Sequence, residues 1–125
     1  MLVALHHAQL TVPKGAEAEA RKFFCEDLGL KEIAKPAVLL ARGGFWLELG
    51  AVQIHVGTED GVDRSKTKAH LGFEVDDLSA MRAKIEALGL EISEGEPLEG
   101  LVRFEFRDPF GNRMEFVQRT GGATR

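Results

Sequence analysis

The chain has 125 residues and a formal net charge of −4, with 44% hydrophobic and 29% charged residues, which predicts one soluble globular domain. This charge excludes a broad basic surface for nucleic acid, and no apolar run approaches the roughly 20 residues that span a bilayer. The N-terminus lacks a signal-peptide pattern, and the single cysteine, Cys25, cannot form an internal disulfide, so we expect a cytoplasmic protein. Cys25 follows Phe23 and Phe24 in a helical pattern, and we interpret it as a packing residue rather than a nucleophile.

The first half of the chain predicts a strand, a helix and then further strands. The opening strand is HHAQLTV, and the helix lies in AEAEARKFFCEDLGL and ends near Gly29. The later strands are EIA, AVLLAR, FWLEL and VQIHV.

The second half predicts the same order of elements. Its first strand is AHLGFEV, and its helix, in DDLSAMRAKIEALGL, begins after an N-cap at Asp76 or Asp77 and ends near Gly89. An apolar stripe at helical spacing marks one face of this helix: Leu78, Met81, Ile85 and Leu88. The later strands are LEIS, VRFEFRD and RMEFVQ, and DPFGN forms the turn between the last two.

The two halves therefore repeat one pattern, and we predict an α+β fold made of two βαβββ modules. Module one covers about residues 5–57 and module two about residues 69–118. A polar stretch at 58–68 is interpreted as the linker between them, and residues 119–125 as a frayed tail.

Alternation along the strands gives each sheet one apolar and one polar face, and the apolar face is expected to pack on the helices. The polar face carries three of the four histidines in the chain, His7, His55 and His70. A merely solvated face is the plain alternative for any one strand, but such a face would more often carry Lys, Glu, Asp, Ser and Thr. If the sheets curl, these histidines line a cup.

At this point the sequence resembles the vicinal oxygen chelate superfamily, which includes glyoxalases, bleomycin-resistance proteins and dioxygenases. The segments that carry the resemblance are HHAQLTV, ARKFFCEDLGL, VQIHV, AHLGFEVDDL and DPFGNRMEFV. The resemblance implies a single glyoxalase-like domain over residues 1–125, with strands curled around a metal and one helix per module packed outside.

The resemblance also implies a set of metal ligands, because four positions of the family pattern carry competent side chains. These are His7, His55, His70 and Glu115, whereas His6 is interpreted as structural. Three imidazoles and one carboxylate suit one divalent transition metal, either Zn, Ni, Co, Fe or Mn, and leave positions open for substrate. The candidates for orienting the imidazole rings are Gln9, Gln53, Glu48 and Glu74.

Further residues of the polar face are candidates for acid–base work and substrate binding. Glu105 is the preferred base, with Glu115 and then Glu48 as alternatives. Arg103, Arg107 and Arg113 either clamp a carboxylate or phosphate of the substrate or compensate the charges of Glu105 and Glu115. Trp46 forms an apolar wall of the pocket or packs at a subunit contact.

The leading functional hypothesis is a metal-dependent lyase or isomerase that acts on a small oxygenated molecule through a metal-stabilised enolate. The alternatives are a small-molecule-binding protein without catalysis, as in bleomycin resistance, and a metal-dependent thiol transferase or dioxygenase. The last two lose weight because the chain contains no tyrosine, a residue that those relatives use in their sites. The resemblance further implies a homodimer, with no nucleic-acid or membrane partner.

Overall fold

The computed structural model describes residues 1–121, and the chain divides into two compact units, Met1–Val62 and a second that begins at Asp63. The strands of the first unit are β1 (His7–Val12), β2 (Lys31–Ile33), β3 (Phe45–Leu49) and β4 (Val52–Thr58). Its helix α1 (Glu17–Arg21) continues into a π-helical segment at Lys22–Asp27, so the predicted first helix is present but changes its winding.

The second unit contains the strands β5 (His70–Glu74), β6 (Ile92–Glu94), β7 (Leu101–Arg107) and β8 (Arg113–Arg119). Its helix α2 covers Leu78–Ala87. Asp77 is the N-cap of this helix, because its side chain accepts a hydrogen bond from the backbone N–H of Ala80. Gly89 adopts a φ of 79° just beyond the C-terminus, as expected of a residue that ends a helix.

Both units have the same sheet topology, which confirms the predicted internal repeat. The strand order is β1-β4-β3-β2 in the first sheet and β5-β8-β7-β6 in the second. In each sheet the first strand of the unit lies parallel to the last, and the remaining pairs are antiparallel. The α+β class and the two βαβββ modules are therefore confirmed, with each sheet curled but not closed.

The core of the first unit is formed by the face that alternation marks as apolar. The buried strand residues are Leu10, Val12, Phe45, Leu47, Ile54 and Val56, and Ala20, Phe23 and Phe24 cover them from the helical side. Cys25 next to this core is half-buried, and burial raises the pKa of its thiol, with the charge of Glu32 acting in the same direction. A thiol held in its neutral form fits the interpretation of Cys25 as a packing residue.

The core of the second unit follows the same rule and is rich in aromatic rings. Its buried strand residues are Phe73, Phe104, Phe106, Met114 and Phe116, and α2 contributes Leu78 and Ile85. Phe116 lies edge-on to Phe104 and Phe106, with ring centroids 5.6 Å and 5.0 Å away. This packing fixes β7 and β8 side by side, which is what positions their polar side chains on the opposite face.

The prediction of a strand at AVLLAR is wrong, because residues Ala37–Arg42 form a 3-10 helix. Pro36 lies immediately before this helix, and Gly43, with a φ of 75°, ends it. Val38 and Leu40 are 88% and 62% exposed, so this apolar run does not belong to the core. The run lacks the alternation that a half-buried strand needs, and composition alone was misleading here.

The segment predicted as a linker contains some structure of its own. Strand β4 extends to Thr58, and a short 3-10 helix covers Arg64–Lys66, with Asp63 accepting a hydrogen bond from the N–H of Ser65. At the other end, β8 extends to Arg119, and residues 122–125 of the predicted tail lie outside the described residues. Among residues 1–121, no helix is long and apolar enough to cross a membrane.

Candidate functional site

The polar face of the second sheet carries a row of charged side chains from three strands. β5 contributes His70, β7 contributes Glu105, and β8 contributes Glu115. Glu105 lies directly opposite Glu115 in the β7–β8 register, and Gly72 lies opposite Glu115 in the β5–β8 register. The absence of a side chain at Gly72 leaves the space above the middle of the sheet open, since the nearest neighbour of a Cβ there would be Oε1 of Glu115 at 3.9 Å.

His70 is held by two contacts that together define its chemistry. Its Nδ1 lies 3.0 Å from the carbonyl oxygen of Lys68, and its Nε2 lies 3.2 Å from Oε1 of Glu115. A carbonyl only accepts hydrogen bonds, so Nδ1 must carry the proton, and in the neutral ring Nε2 then presents a lone pair. A lone pair facing a carboxylate oxygen at this distance needs a cation between the two, either a proton or a metal ion.

Two arginines compensate the two glutamates of this row. Nη1 of Arg103 donates to Oε2 of Glu115 at 2.8 Å and lies 3.5 Å from Oε2 of Glu105. Nε and Nη2 of Arg113 both donate to Oε1 of Glu105, at 3.0 Å and 2.7 Å. All four side chains are between 14% and 26% exposed, so these ion pairs are partly shielded from water. Charge compensation, one of the two roles considered for these arginines, is therefore what the structure shows.

The donor atoms of this face fit a divalent metal ion. Among the described residues, His70, Glu105 and Glu115 each offer one ligand atom, and these atoms all lie within 4.8 Å of one another. One imidazole and two carboxylates form a donor set suited to borderline divalent metals. The bond from Nδ1–H of His70 to a backbone carbonyl is also the usual support of a metal-binding imidazole, because it fixes the ring and leaves Nε2 free.

The first unit presents aromatic side chains where the second presents charged ones. The ring of His55 lies between Trp46, at a centroid distance of 3.9 Å and an angle of 2°, and His7, at 4.2 Å and 15°. This stack leaves His55 only 6% exposed, although it belongs to the face that alternation marks as polar. Trp46 is opposite His55 in the β3–β4 register, just as Glu105 is opposite Glu115 in the second unit.

Burial and neighbouring charges both favour the neutral form of His55. Burial lowers the pKa of its imidazole, and the nearby His7, His6 and Lys35 act in the same direction. Nε2 of His55 lies 2.9 Å from Oε1 of Gln53, so it carries the proton and donates to that oxygen. The lone pair is then at Nδ1. Gln53 was one of four candidates for orienting a ring, and in this structure it is the partner of His55.

His6 and His7 form a separate pair at the start of β1. Their Nδ1 atoms lie 3.0 Å apart, and the two rings are nearly perpendicular. His6 is exposed and precedes the first residue of the strand, although its carbonyl oxygen accepts a hydrogen bond from the N–H of Gln53. His7 thus contacts His6 on one side and His55 on the other.

Arg107 differs from the other two arginines because it holds the backbone rather than a carboxylate. Its Nη1 donates to the carbonyl oxygens of Arg64 and Gly111, and its Nη2 donates to that of Thr67. These bonds attach the segment before β5 to the turn between β7 and β8. No residue pattern indicates this role, since the three carbonyls lie far from Arg107 along the chain or in a turn.

The turn DPFGN is organised around a buried carboxylate. Asp108 is 3% exposed and accepts hydrogen bonds from the N–H groups of Phe110 and Asn112 and from the side-chain amide of Asn112. Burial raises the pKa of Asp108, while these hydrogen bonds oppose the rise.

Residues 4–116, which end in β8 just beyond this turn, match the sequence profile of the Glyoxalase/Bleomycin resistance protein/Dioxygenase superfamily. The chain belongs to this superfamily.

Solved structures show the same superfamily fold. A Bacillus anthracis protein assigned to the glyoxalase family is 35% identical over 96% of this chain and 98% of its own, with a TM-score of 0.86. The fosfomycin resistance protein FosX from Listeria monocytogenes is 19% identical, covers 97% of both chains and has a TM-score of 0.75. TnmS3, an antibiotic binding protein from a Streptomyces species, is 18% identical over 96% of this chain and 100% of its own, with a TM-score of 0.70. A search of curated proteins gives no match.

For a glyoxalase-superfamily chain, the structure groups the expected site residues by unit. Within the second unit it brings together His70, Glu105, Glu115, Arg103 and Arg113. Within the first unit it stacks His7, His55 and Trp46. Glu48, the third candidate base, is half-buried and lies 3.7 Å from Lys31, and Glu74 pairs with Arg119. The carbonyl of Lys68, which orients His70, was missed because a backbone atom leaves no residue-type signal.

Proposed function

We propose that this superfamily member is a metal-dependent enzyme that acts on a small oxygenated molecule by lyase or isomerase chemistry. The observation that supports the proposal most directly is the placement of His70, whose Nδ1 meets a carbonyl while its Nε2 faces the carboxylate of Glu115. A bound divalent ion would act as a Lewis acid on a substrate oxygen and favour formation of an enolate. Zn, Ni, Co, Fe and Mn all suit such ligands.

In this proposal His70 and Glu115 hold the metal, together with His7 and His55 as the family resemblance predicts. The neutral form of His55 favours such a role, because a metal competes with a proton for the ring nitrogen. The contribution of the two first-unit histidines stays a prediction.

Glu105 is proposed as the base, because one of its carboxylate oxygens has only a distant hydrogen-bond donor, whereas its other oxygen and both oxygens of Glu115 have closer partners. Its Oε1 accepts two hydrogen bonds from Arg113, whereas its Oε2 is 3.5 Å from Arg103. Oε2 would take a proton from the carbon next to the substrate carbonyl. In an isomerase it would return that proton to the neighbouring carbon, and in a lyase the electron pair would expel a leaving group. Glu115 is the alternative base, but both of its oxygens already have partners.

Arg103, Arg113 and Trp46 are proposed to contact the substrate. The two guanidinium groups lie beside the glutamates, where they can hold substrate oxygens and still balance the local charge. Trp46 is half-buried, and one face of its ring is covered by His55. The substrate is expected to pack against its remaining surface.

A second candidate is a protein that binds a small molecule without catalysis. The stack of Trp46, His55 and His7 favours it, because flat aromatic side chains are typical of sites for planar ligands. TnmS3, which shares the fold, is an antibiotic binding protein. A metal-dependent thiol transferase or dioxygenase is a third candidate, and FosX shares the fold as a fosfomycin resistance protein.

Metal analysis combined with a proton-exchange assay tests the proposal. We expect the purified protein to contain one of the five metals, and the metal-loaded protein to exchange the α-proton of a carbonyl substrate with D2O. A hemithioacetal is the substrate for this exchange assay, whereas an epoxide with a thiol and a catechol under oxygen test the transferase and the dioxygenase by product formation. If removal of the metal by a chelator changes neither exchange, nor stability, nor ligand binding, the enzyme proposal is wrong and the binding protein is favoured.

We also propose that the protein is a cytoplasmic homodimer. Four apolar side chains at the N-terminus are strongly exposed in the single chain: Met1 at 115%, Leu2 at 98%, Val3 at 91% and Leu5 at 68%. A contact with another chain would cover these side chains. Light scattering of the purified protein gives the mass directly, and a monomer at micromolar concentration would contradict this part of the proposal.

A further inference from the structure

A cavity of about 460 Å³ opens beside Glu105 in the second unit, and neither His70 nor Glu115 is among the residues that line it. Its volume lies within the range of sites for small molecules. We propose that this cavity binds an anionic group of the substrate, a carboxylate or a phosphate-type oxyanion. The inference rests on the proposed function, which concerns the end of the substrate that reacts. It adds that the substrate carries an anionic group at its other end.

Arg107 supplies an uncompensated positive charge to the cavity. Arg107 is one of the residues that line the cavity, and its guanidinium donates hydrogen bonds to three backbone carbonyls, those of Arg64, Gly111 and Thr67. Carbonyl oxygens carry no formal charge, and within residues 1–121 no carboxylate lies within 4.0 Å of Arg107. The group is half-buried, so its charge is not fully screened by water.

Arg113 is the second positively charged residue of the cavity lining. Its counter-ion in the structure is Glu105, which also lines the cavity. Both Nε and Nη2 of Arg113 donate to the same oxygen, Oε1 of Glu105. Arg107 and Arg113 together exceed the charge of Glu105 by one unit, which makes an anionic ligand more favourable here than a neutral one.

The remaining lining of the cavity fits a small molecule with an apolar part. Ile92 and Phe106 are opposite each other in the β6–β7 register and supply apolar surface, while Ser93, the partner of Glu105, supplies a hydroxyl. Glu91 is the other acidic residue of the lining, and it is exposed, so water screens its charge. A short carboxylate or phosphate ester that carries a carbonyl or hydroxyl group at its other end satisfies all of these surfaces.

The test compares benzoate with benzamide, a neutral molecule of the same shape, by NMR titration of the metal-free and the zinc-loaded protein. We expect benzoate to bind the metal-free protein at least ten-fold more tightly than benzamide and to shift the amides of Ser93 and Phe106. Arg113→Gln should lower the affinity for benzoate by about ten-fold. Glu105→Gln should raise this affinity several-fold, because Arg113 then has no carboxylate partner in Glu105. Arg119→Gln, on the same strand and paired with Glu74, is the matched control and should leave benzoate binding unchanged.

Two different failures can be distinguished. Equal binding of benzoate and benzamide to the metal-free protein, or shifts confined to residues outside 91–93 and 105–113, would overturn the anion site whatever the metal result. Failure of the native chain to bind zinc would instead count against the proposed function. The anion site would still stand if the metal-free protein binds benzoate more tightly than benzamide. An equal effect of Arg119→Gln and Arg113→Gln would show a general charge effect, and it would also overturn the proposal.

Discussion

Nε2 of His70 lies 3.2 Å from Oε1 of Glu115, while Nδ1 of the same ring lies 3.0 Å from the carbonyl oxygen of Lys68. The carbonyl determines which nitrogen carries the proton, and the carboxylate determines what the other nitrogen faces. The two atoms hold either a proton or a metal ion between them. The position lies in one unit and depends on the pairing of β5 with β8, where His70 is opposite Arg113 and Gly72 is opposite Glu115.

The first prediction concerns the ligands of the metal. We expect zinc to raise the melting temperature of the native chain, because a ligand at 100 times its Kd adds about 2.7 kcal/mol of stability. His70→Ala should abolish this rise, and His7→Ala and His55→Ala should each weaken zinc binding by about ten-fold or more. The measurement is a thermal unfolding series against zinc concentration.

His6→Ala is the control for these variants, because His6 is an exposed neighbour of His7 that is interpreted as structural. Circular dichroism shows whether each variant is folded before zinc is added. Full zinc affinity in folded His7→Ala and His55→Ala would contradict the four-residue ligand set, and full affinity in His70→Ala would contradict the site itself.

The second prediction separates the roles of the two glutamates that are opposite each other in β7 and β8. Glu115→Gln should lower zinc affinity, because it removes a charged ligand. Glu105→Gln should keep zinc and lower the rate of α-proton exchange by about 10²–10⁴-fold, the usual contribution of a general base. Zinc content and exchange are measured on the same preparations. Loss of zinc from Glu105→Gln would show that Glu105 is a ligand and would overturn its assignment as the base.

Alternation along single strands was sufficient to predict which side chains share a face of each sheet. It placed Phe104, Phe106 and Phe116 in the core and His70, Glu105 and Glu115 on the other face, as the structure has them. The reason is that the period of two in a strand is a local property, so the sequence of one strand determines which side chains share a face. The repeat of the two halves then predicted the equal topology of both sheets.

Relationships between strands could not be predicted in the same way. The burial of His55 depends on the register that sets Trp46 opposite it, and no pattern within VQIHV contains that register. The apolar residues of AVLLAR predict a strand, yet the segment forms a 3-10 helix at the surface, between Pro36 and Gly43. The partners of Arg107 are backbone carbonyls, which are present at every residue and so give no signal.

The third prediction concerns pH and the helix of the first unit. Oε2 of Glu17 accepts a hydrogen bond from the N–H of Gly44 at 3.1 Å, and this bond is the main reason that the pKa of Glu17 is lowered from 4.5. A carboxyl whose pKa is lower in the folded chain contributes stability above its unfolded pKa, and the contribution disappears as pH falls through the folded value. Glu17→Gln should therefore be less stable than the native chain at pH 7.

The difference in free energy of unfolding between the native chain and Glu17→Gln should shrink as the pH falls from 5 to 3. Urea denaturation at several pH values measures it. Glu19→Gln is the control, since Glu19 is exposed on the same helix and forms no bond to Gly44. A difference between native and Glu17→Gln that stays constant down to pH 3 would contradict the ionic origin of this contact.

The fourth prediction links a glycine of the first unit to the aromatic stack. Gly44 has a φ of 79°, and a Cβ there would lie 2.2 Å from the carbonyl oxygen of Val56, so the backbone of β3 or β4 would have to shift. Gly50 also has a positive φ, 59°, but a Cβ there meets nothing within 4 Å. Gly50→Ala should therefore lower the free energy of unfolding only by the backbone strain, about 1–2 kcal/mol, and Gly44→Ala should lower it by at least about 3 kcal/mol.

Because Gly44 is two residues before Trp46, the shift should also separate Trp46 from His55, and the fluorescence of this single tryptophan reports it. Unchanged fluorescence together with equal stability of the two variants would contradict the close contact at Gly44.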